Sequence, residues 1–470
     1  MKLNLGSGQD YREDYINVDK YAKSADVICD LEVLPWPWET NSINEVVLRH
    51  VLEHLGQNTD LFLSIMKELY RVCAPGASVI IDVPYPLHPD YLGDPTHCRP
   101  ITAEALWLFN RGFTDQLIAN KAIGTPLATY LDVDFVMVEH NQFKDSVGNL
   151  QASQFVLKVR KPIKLAAMYN GFGDICMSLG SAHALSDSGY RVYLTAQERF
   201  HELVKACPHV YSVSETDREG EIWTCCWNNL QARHQVDENL KMCGLDLSTI
   251  SNNSKSLNII IPELIIQDIN NKYPSKDRII IHPSGSVPKN RKWPKEYWQE
   301  LVSLFKQSNI EVISTGTNKG SWEGKYSTHH LDGVLEVFDL PILETIELYK
   351  HCRVLVSVDS APVQFAGATD CGILGLYSVI APQYRLPYRH GELGWNAYGI
   401  LTSCPMASCY NALVKDYNFQ WSDKALSMMT NKALPDILDG CINENNPFCC
   451  MKDISPEVVY NKAMELYYAN

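Results

Sequence analysis

Asp359 and Ser360 directly follow a short apolar run, residues 354–358, and directly precede a stretch of small residues. The apolar run predicts a buried parallel strand, and Pro362 suits the first helical turn because the N–H that proline lacks has no partner there. A helix N-terminus offers free N–H groups and a partial positive charge, which favour an anion such as a diphosphate. An ordinary strand–helix turn without a ligand explains these residues equally well.

A second loop gathers cations and hydroxyl groups after an apolar strand predicted at 278–282. It carries Ser284 and Ser286, then Lys289, Arg291 and Lys292. These groups can neutralise the charge that develops on a leaving diphosphate when a glycosidic bond breaks. A solvated basic loop without a ligand is the alternative.

Asp174 ends a Gly-Phe-Gly-Asp sequence between a strand predicted from residue 165 and a helix that continues to Leu185. A carboxylate at this position could remove a proton from an acceptor hydroxyl group. It could equally be the N-cap of the helix, since aspartate is favoured there. One residue can serve both purposes.

Together these segments resemble the family 9 glycosyltransferases, which are heptosyltransferase-like and have the GT-B fold. The resemblance is carried by Ser-Val-Asp-Ser-Ala-Pro-Val-Gln-Phe-Ala-Gly-Ala at 357–368, by Gly-Phe-Gly-Asp at 171–174 and by Arg-Lys-Trp-Pro at 291–294. It implies that Asp174 is the general base of an inverting, metal-independent sugar transfer. It further implies a nucleotide-sugar site made of Ser284, Ser286, Lys289, Arg291, Lys292, Asp359, Ser360, Ala361 and Gln364. Ala361 and Gln364 stand where glycine and histidine are usual, which motivates a non-catalytic binding module as an alternative.

The first segment of the chain begins with a strand that enters a glycine-rich turn at Gly6 and Gly8. Two further strand-like runs end in acids, Asp19 and Asp30, and an acid in such a place can accept hydrogen bonds from ribose hydroxyls. With His-Val-Leu-Glu-His-Leu at 50–55, the series resembles class I S-adenosylmethionine-dependent methyltransferases of glycan biosynthesis. The resemblance implies Gly6 and Gly8 at the methionine end of the cofactor, Asp19 on the ribose and Asp30 beside the adenine.

The loop at 88–100 is dense in histidine, aspartate and arginine. His97 could act as a base on an acceptor hydroxyl, and Arg99 could hold an anionic group. Alternatively, Asp94 and His97 only cap a helix near 103–109. A metal cluster is conceivable, but the spacing fits no established metal motif, so no metal is assigned.

Composition limits the function classes. The 470 residues suffice for two or three domains, and 46% apolar with 20% charged residues is typical of a globular protein. A net charge of −14 argues against a nonspecific binder of nucleic acid or of anionic membranes. No run reaches the length of a membrane span and the N-terminus is not a signal peptide, so a cytoplasmic enzyme is expected.

The 15 cysteines are scattered and predict mostly buried thiols in a reducing compartment. The last of them, at 404, 409, 441, 449 and 450, fall where family 9 members often carry cysteines, so a zinc site stays open. Arg385 and Arg389 lie in a loop that may contact the donor.

The elements that must position these residues are three α/β units. We predict a Rossmann-like methyltransferase domain at 1–161, then a GT-B pair: an acceptor domain at 162–275 and a donor domain at 276–470, whose last helix packs back across both. The expected protein is a bifunctional glycan-modifying transferase that uses S-adenosylmethionine and a nucleotide-sugar with a heptose-like sugar. The alternatives are binding modules or a nucleic-acid base-modifying glycosyltransferase, against which the acidic charge speaks.

Overall fold

The structure, a computed structural model, describes residues 1–167, 171–215, 221–224, 233–283, 291–318, 328–404, 407 and 449–469. The chain forms two compact units. Unit 1 comprises Met1–Ile163 and Ser186–Arg191, and unit 2 comprises Lys164–Leu185 and Val192–Asn470. Both contain α-helices and mainly parallel sheets, which confirms the predicted α/β class. The three domain ranges stay a prediction.

Unit 1 is built on a seven-stranded sheet. Its strands are β1 Lys2–Leu5, β2 Ile16–Asp19, β3 Val27–Ile28, β4 Ile43–Arg49, β5 Cys73–Pro84, β6 Phe135–Lys144 and β7 Leu150–Val159. The order is β3-β2-β1-β4-β5-β7-β6, with β7 antiparallel to β5 and to β6. Central β1 is apolar and buried at Leu3 and Leu5 because both faces of a parallel sheet are covered. The chain reverses its direction of strand addition between β1 and β4, where ligands bind in such sheets.

The helices of unit 1 are α1 Thr59–Val72, α2 Pro89–Leu92, α3 Ala103–Trp107, α4 Arg111–Ala119 and α5 Leu127–Leu131. Helix α1 buries Phe62, Ile65 and Leu69 on one face, at the spacing of an amphipathic helix. The N-cap of α3 is Thr102, whose hydroxyl accepts from the N–H of Ala105. The alternative that Asp94 and His97 cap this helix is therefore wrong.

Unit 2 begins with a four-stranded sheet in the order β10-β9-β8-β11. Its strands are β8 Lys161–Ala167, β9 Tyr190–Thr195, β10 Val210–Ser214 and β11 Ile222–Thr224, and its helices are α6 Phe172–Asp187, α7 His201–Lys205, α8 Gln235–Met242 and α9 Glu263–Lys272. Helix α6 follows the carboxyl end of β8 and is buried on most sides, so it is apolar nearly all round.

A six-stranded, fully parallel sheet follows in the order β14-β13-β12-β15-β16-β19. Its strands are β12 Arg278–His282, β13 Glu311–Gly316, β14 Leu335–Phe338, β15 Val354–Val358, β16 Gly372–Tyr377 and β19 Ala397–Leu401, and β17 Tyr388–Arg389 pairs with β18 Glu392–Leu393 outside the sheet. Counted in chain order this is the 3-2-1-4-5-6 order of dinucleotide-binding sheets, whose ligands bind at the carboxyl ends of the central strands. Here those strands are β12 and β15, which end at His282 and just before Asp359.

The helices of this part are α10 Lys295–Gln307, α11 Ile342–Tyr349, α12 Ala361–Ala366 and the final α13 Pro456–Ala469. Helix α13 packs on α10, where Tyr460 contacts Phe305, and its Val459 and Ala463 complete the core of the six-stranded sheet. The indole N–H of Trp293 donates to the carbonyl of Ile454 at 2.9 Å and ties the segment before α13 to the same core. Packing of α13 across both predicted GT-B domains stays a prediction.

None of the described helices is both long enough and apolar enough to span a bilayer.

Candidate active site

Asp174 lies in the first turn of α6, directly after the loop that leaves the carboxyl end of β8. It is the third residue of the helix and so is not its N-cap. The preceding Gly173 packs on the start of α12: a Cβ built on it would lie 3.6 Å from the Cα of Ala361. That is an ordinary van der Waals distance, so the Asp174 turn lies directly against the start of α12, which follows Asp359 and Ser360.

The carboxyl group of Asp174 lies in an unusual electrostatic environment. The side chain is partly buried, with 24% of its surface accessible. Burial raises its pKa, and Asp359 raises it further, whereas the positive charges of Arg385 and Arg291 act against both. The nearer cation is Arg385, whose Nη1 lies 4.0 Å from the carboxylate. An accessible carboxylate with a raised pKa is suited to accept a proton.

Arg291 and Asp359 form a pair across the carboxyl ends of β12 and β15. Nη1 of Arg291 lies 3.5 Å from Oδ2 of Asp359 and 3.4 Å from its carbonyl oxygen. Among the described residues, neither Asp359 Oδ2 nor Arg291 Nε has a hydrogen-bond partner, although both atoms are buried. Buried polar atoms usually find partners, so this pair has hydrogen-bonding capacity left for a ligand.

Lys292 differs from its neighbour Arg291. Its side chain is exposed, and its charge helps to lower the pKa of His329, after burial and Lys295. The structure therefore brings Arg291, and not Lys292, against Asp359. Ser284, Ser286 and Lys289, which belong to the same predicted site, lie outside the described residues.

Two further residues near Asp174 and Asp359 come from the chain beyond β15. Arg385 is buried and its Nη1 lies 3.4 Å from the sulfur of Met177, one turn along α6 from Asp174. Tyr377 ends β16 as a fully buried residue whose hydroxyl has no partner in the described part of the chain. Burial and the nearby Asp359 raise the pKa of Tyr377 well above its usual value, although Arg385 and Arg291 act against this. Sequence analysis missed Tyr377; its only signal is a hydroxyl at the carboxyl end of an apolar strand.

The guanidinium of Arg389, by contrast, contacts backbone carbonyls. Its guanidinium donates to the backbone carbonyls of Thr369, Cys371, Trp395 and Asn396. Through both terminal nitrogens it ties the β17–β18 hairpin to the neighbouring backbone. A donor contact by Arg389 stays a prediction, with only Nε left without a partner among the described residues.

The other predicted donor-site residues lie at the start of α12. Ser360 precedes the helix, but its hydroxyl donates to the carbonyl of Val358 rather than capping α12. Ala361 is the first residue of the helix, and Gln364 donates from Nε2 to the carbonyl of Arg385. Gln364 thereby fixes the backbone of the residue whose side chain reaches Asp174.

In unit 1 the predicted cofactor residues meet beside β1. Gly6 and Gly8 have φ values of +65° and +50°. Oδ2 of Asp19 accepts from the N–H of Gly8 at 2.8 Å, and Oδ1 accepts from Tyr21 and Ala22. Burial alone would raise the pKa of Asp19, but these backbone N–H groups outweigh it and lower the pKa. The carboxylate therefore stays ionised and holds the glycine turn.

Asp30 lies two residues after β3, which is only two residues long, so the strand ends before Asp30 and not at it. Its Oδ2 pairs with Nζ of Lys20 at 2.5 Å, and this contact lowers its pKa. Asp30 thus lies after the third strand with its charge balanced by Lys20, and its place beside an adenine stays a prediction.

His97 is nearly buried. Its Nδ1 lies 2.8 Å from the carbonyl oxygen of Tyr91 and its Nε2 lies 4.0 Å from Oε1 of Glu53. The guanidinium of Arg99 packs 4.0 Å from the ring centre of Phe62 and donates to the carbonyl of Gly56, so it is committed within unit 1.

Residues 183–396 match the model of glycosyltransferase family 9 (heptosyltransferase). The match covers somewhat less than half of the chain. The match includes Arg291, Asp359 and Arg385 but begins after Asp174. No curated protein matches the chain.

Solved structures resemble the chain only distantly. The family 9 glycosyltransferase from Veillonella parvula is 13% identical, with a TM-score of 0.45, 66% of this chain covered and 98% of that one. The E. coli ADP-heptose lipopolysaccharide heptosyltransferase II is 13% identical, with a TM-score of 0.43 and coverage of 65% and 99%. A SAM-dependent methyltransferase from Archaeoglobus fulgidus is 15% identical, with a TM-score of 0.24 and coverage of 33% and 85%. Likeness this low supports no conclusion about activity.

Proposed function

We propose that unit 2 transfers a sugar from a nucleotide-diphosphate sugar to an acceptor hydroxyl group. The observation that carries the proposal is the cluster of Asp174, Arg291, Asp359 and Arg385 in unit 2, whose residues follow β8, β12, β15 and β16. The similarity of residues 183–396 to family 9 supports it independently. A heptose-like sugar is the first candidate for the donor.

In this proposal Asp174 takes the proton from the acceptor hydroxyl while the oxygen of that hydroxyl bonds to the anomeric carbon of the donor sugar. The bond between that carbon and the diphosphate oxygen breaks, and the diphosphate leaves with the electron pair. Attack from the side opposite to the leaving group inverts the configuration. Arg291 and Arg385 supply fixed positive charge, which stabilises the developing negative charge without a metal ion.

We further propose that unit 1 transfers a methyl group from S-adenosylmethionine to the same class of glycan. Support comes from the glycine turn that follows β1 and from Asp19, the last residue of β2, which accepts from the N–H of Gly8. The alternative is that unit 1 binds S-adenosylmethionine without catalysing methyl transfer. Binding of S-adenosylmethionine without methyl transfer would favour this alternative.

The sugar-transfer proposal is tested with a panel of nucleotide-sugars by following release of the nucleoside diphosphate. D174N should keep donor affinity yet lose about 10²–10⁴-fold in turnover, because general-base catalysis contributes that much. Wild-type turnover in D174N would remove the proposed base.

The paired variants R291Q and K292Q test the leaving-group site. R291Q should lose about 10²-fold or more in turnover, whereas K292Q should stay near wild type, because only Arg291 reaches Asp359. Equal losses would indicate a general charge effect of the loop. Turnover that persists in a chelator would support the metal-independent route.

A further inference from the structure

Three side chains in unit 1 place atoms that can bind a metal close to one another. Glu53 and His54 lie on the 3₁₀ helix Leu52–His54 that follows β4, and His97 comes from the loop after α2. One carboxylate oxygen and one nitrogen of each ring all lie within 4.8 Å of one another. We name Glu53, His54 and His97 the Glu/His cluster.

Glu53 is the most telling member. The residue is 0% exposed, and neither carboxylate oxygen has a hydrogen-bond partner in the described part of the chain. The nearest basic groups are imidazoles: Nδ1 of His50 at 3.5 Å and Nε2 of His97 at 4.0 Å from Oε1. A buried carboxylate with only these long contacts to imidazoles is costly, so the site favours a further positive charge.

The hydrogen bonds of His97 decide which of its nitrogens is available. Nδ1 lies 2.8 Å from the Tyr91 carbonyl, which can only accept, so Nδ1 carries the proton. The ring also stacks on Tyr91 with the centres 5.0 Å apart, which fixes its orientation. In the neutral ring, Nε2 therefore offers a lone pair on the side of Glu53.

His54 is held in a similar way by a longer chain of hydrogen bonds. Its Nδ1 lies 2.9 Å from the hydroxyl oxygen of Thr96, and that hydroxyl donates its single proton to Asp94 at 2.6 Å. Thr96 can then only accept from Nδ1–H of His54, which leaves Nε2 with a lone pair. Histidines that bind metals show this arrangement, since the second nitrogen usually donates to a carbonyl or to a carboxylate-linked group.

We propose that Glu53, His54 and His97 bind a divalent transition-metal ion, with Zn²⁺ the best match. Two neutral imidazoles and one carboxylate suit Zn²⁺ and its neighbours in the first row, whereas Mg²⁺ and Ca²⁺ prefer oxygen ligands alone. Three protein ligands leave a coordination position open for water or a substrate oxygen.

The cluster lies beside the proposed cofactor turn. A Cβ on Gly6 would come within 2.4 Å of the side chain of Val51, two residues before Glu53. Both segments follow central strands, β1 and β4, at the point where the strand order reverses. If unit 1 transfers methyl groups as proposed, the open position could bind the acceptor oxygen; this last step rests on the proposed function, and the metal site does not.

The test is metal binding by the full-length protein after removal of bound metal with a chelator. Zn²⁺ titration by calorimetry and the visible absorption of bound Co²⁺ are compared among wild type, E53Q, H54N and H97N. H88N is the matched control, because His88 lies in the same loop and its Nδ1 accepts from the N–H of Asp90 outside the cluster. Wild type and H88N should bind about one more equivalent than the three cluster variants.

T96V tests the outer partner. Losing the hydroxyl that orients His54 should weaken Zn²⁺ binding by about 10- to 100-fold without removing a ligand. Circular dichroism shows whether each variant folds.

The same Zn²⁺ stoichiometry and Co²⁺ spectrum in folded E53Q and H97N would place the ion elsewhere and overturn the proposal. Absence of binding in wild type would also overturn it, because a proton shared by Glu53 and His97 would then satisfy the carboxylate. Neither result depends on sugar or methyl transfer, so failure here is distinguishable from failure of the proposed function.

Discussion

At the scale of single residues, the charge balance around Asp174 connects stability with activity. Its pKa is raised by burial against the opposing effect of Arg385 and Arg291. The folded state therefore keeps a proton over the pH range between the ordinary aspartate pKa and the raised one. The stability contributed by this group falls as pH rises through that range, and the carboxylate becomes competent as a base only as the pH passes the raised pKa. A residue that costs stability in its active form is typical of a catalytic site.

Removing Arg385 should move the acidic limb of the pH–rate profile. In R385Q the carboxyl group of Asp174 loses the cation that lies 4.0 Å away, so its pKa should rise and the acidic limb of kcat/KM should shift to higher pH. The profile is measured with the donor that turns over, and K292Q serves as the control with one exposed cation removed. An unshifted limb in R385Q would mean that another group sets it.

At the scale of elements, each proposed site lies where a strand ends and the backbone turns sharply. In unit 1, the turn after β1 combines left-handed φ at Gly6 with close packing on Val51. Gly8 shares the left-handed φ, but no atom lies within 4 Å of a Cβ placed on it. An alanine at Gly8 would therefore introduce backbone strain alone, whereas an alanine at Gly6 would add a steric clash with Val51.

The free energy of unfolding should report that difference. G8A should cost about 1–2 kcal/mol, the penalty of a left-handed alanine, and G6A should cost more because its Cβ meets Val51. Shortening the neighbour in G6A/V51A should recover part of the loss, with a coupling of about 0.5–3 kcal/mol. Denaturant unfolding of wild type, G6A, V51A and G6A/V51A completes the cycle. Additive losses in the double variant would contradict the packing explanation.

At the scale of the whole molecule, the chain consists of two α/β units, and the residues of each proposed site belong to one unit. Asp19 and the Glu/His cluster lie in unit 1, whereas Asp174, Arg291 and Asp359 lie in unit 2. Each unit therefore contains its own central strands, glycine turn and charged groups. This organisation predicts two binding functions that can be disabled separately.

Calorimetry with both ligands checks this separation. D19N should weaken S-adenosylmethionine binding by about 10-fold or more, because Asp19 holds the glycine turn through charged hydrogen bonds. The same variant should leave nucleotide-sugar affinity within about twofold, as expected for independent sites. R291Q should show the reverse pattern. A loss of both affinities in one folded variant would indicate coupling between the units.

Local sequence patterns predicted the strands and turns that carry the proposed site residues, although not every strand length, as β3 shows. Apolar runs mark buried parallel strands, glycines mark left-handed turns, and Asp19, Asp174 and Asp359 follow strands at positions that a single strand–turn–helix unit already specifies. The α/β class and the locations of these acids follow from contacts close in sequence.

Tertiary structure alone decided which side chains meet. Arg385 and Arg389 lie in one loop and look equivalent in the sequence, yet one approaches Asp174 while the other donates to four backbone carbonyls. Arg291 and Lys292 diverge in the same way, and Glu53 meets His97 from a distant loop. Such pairings depend on strand order and loop packing over long sequence separations, which no local periodicity encodes.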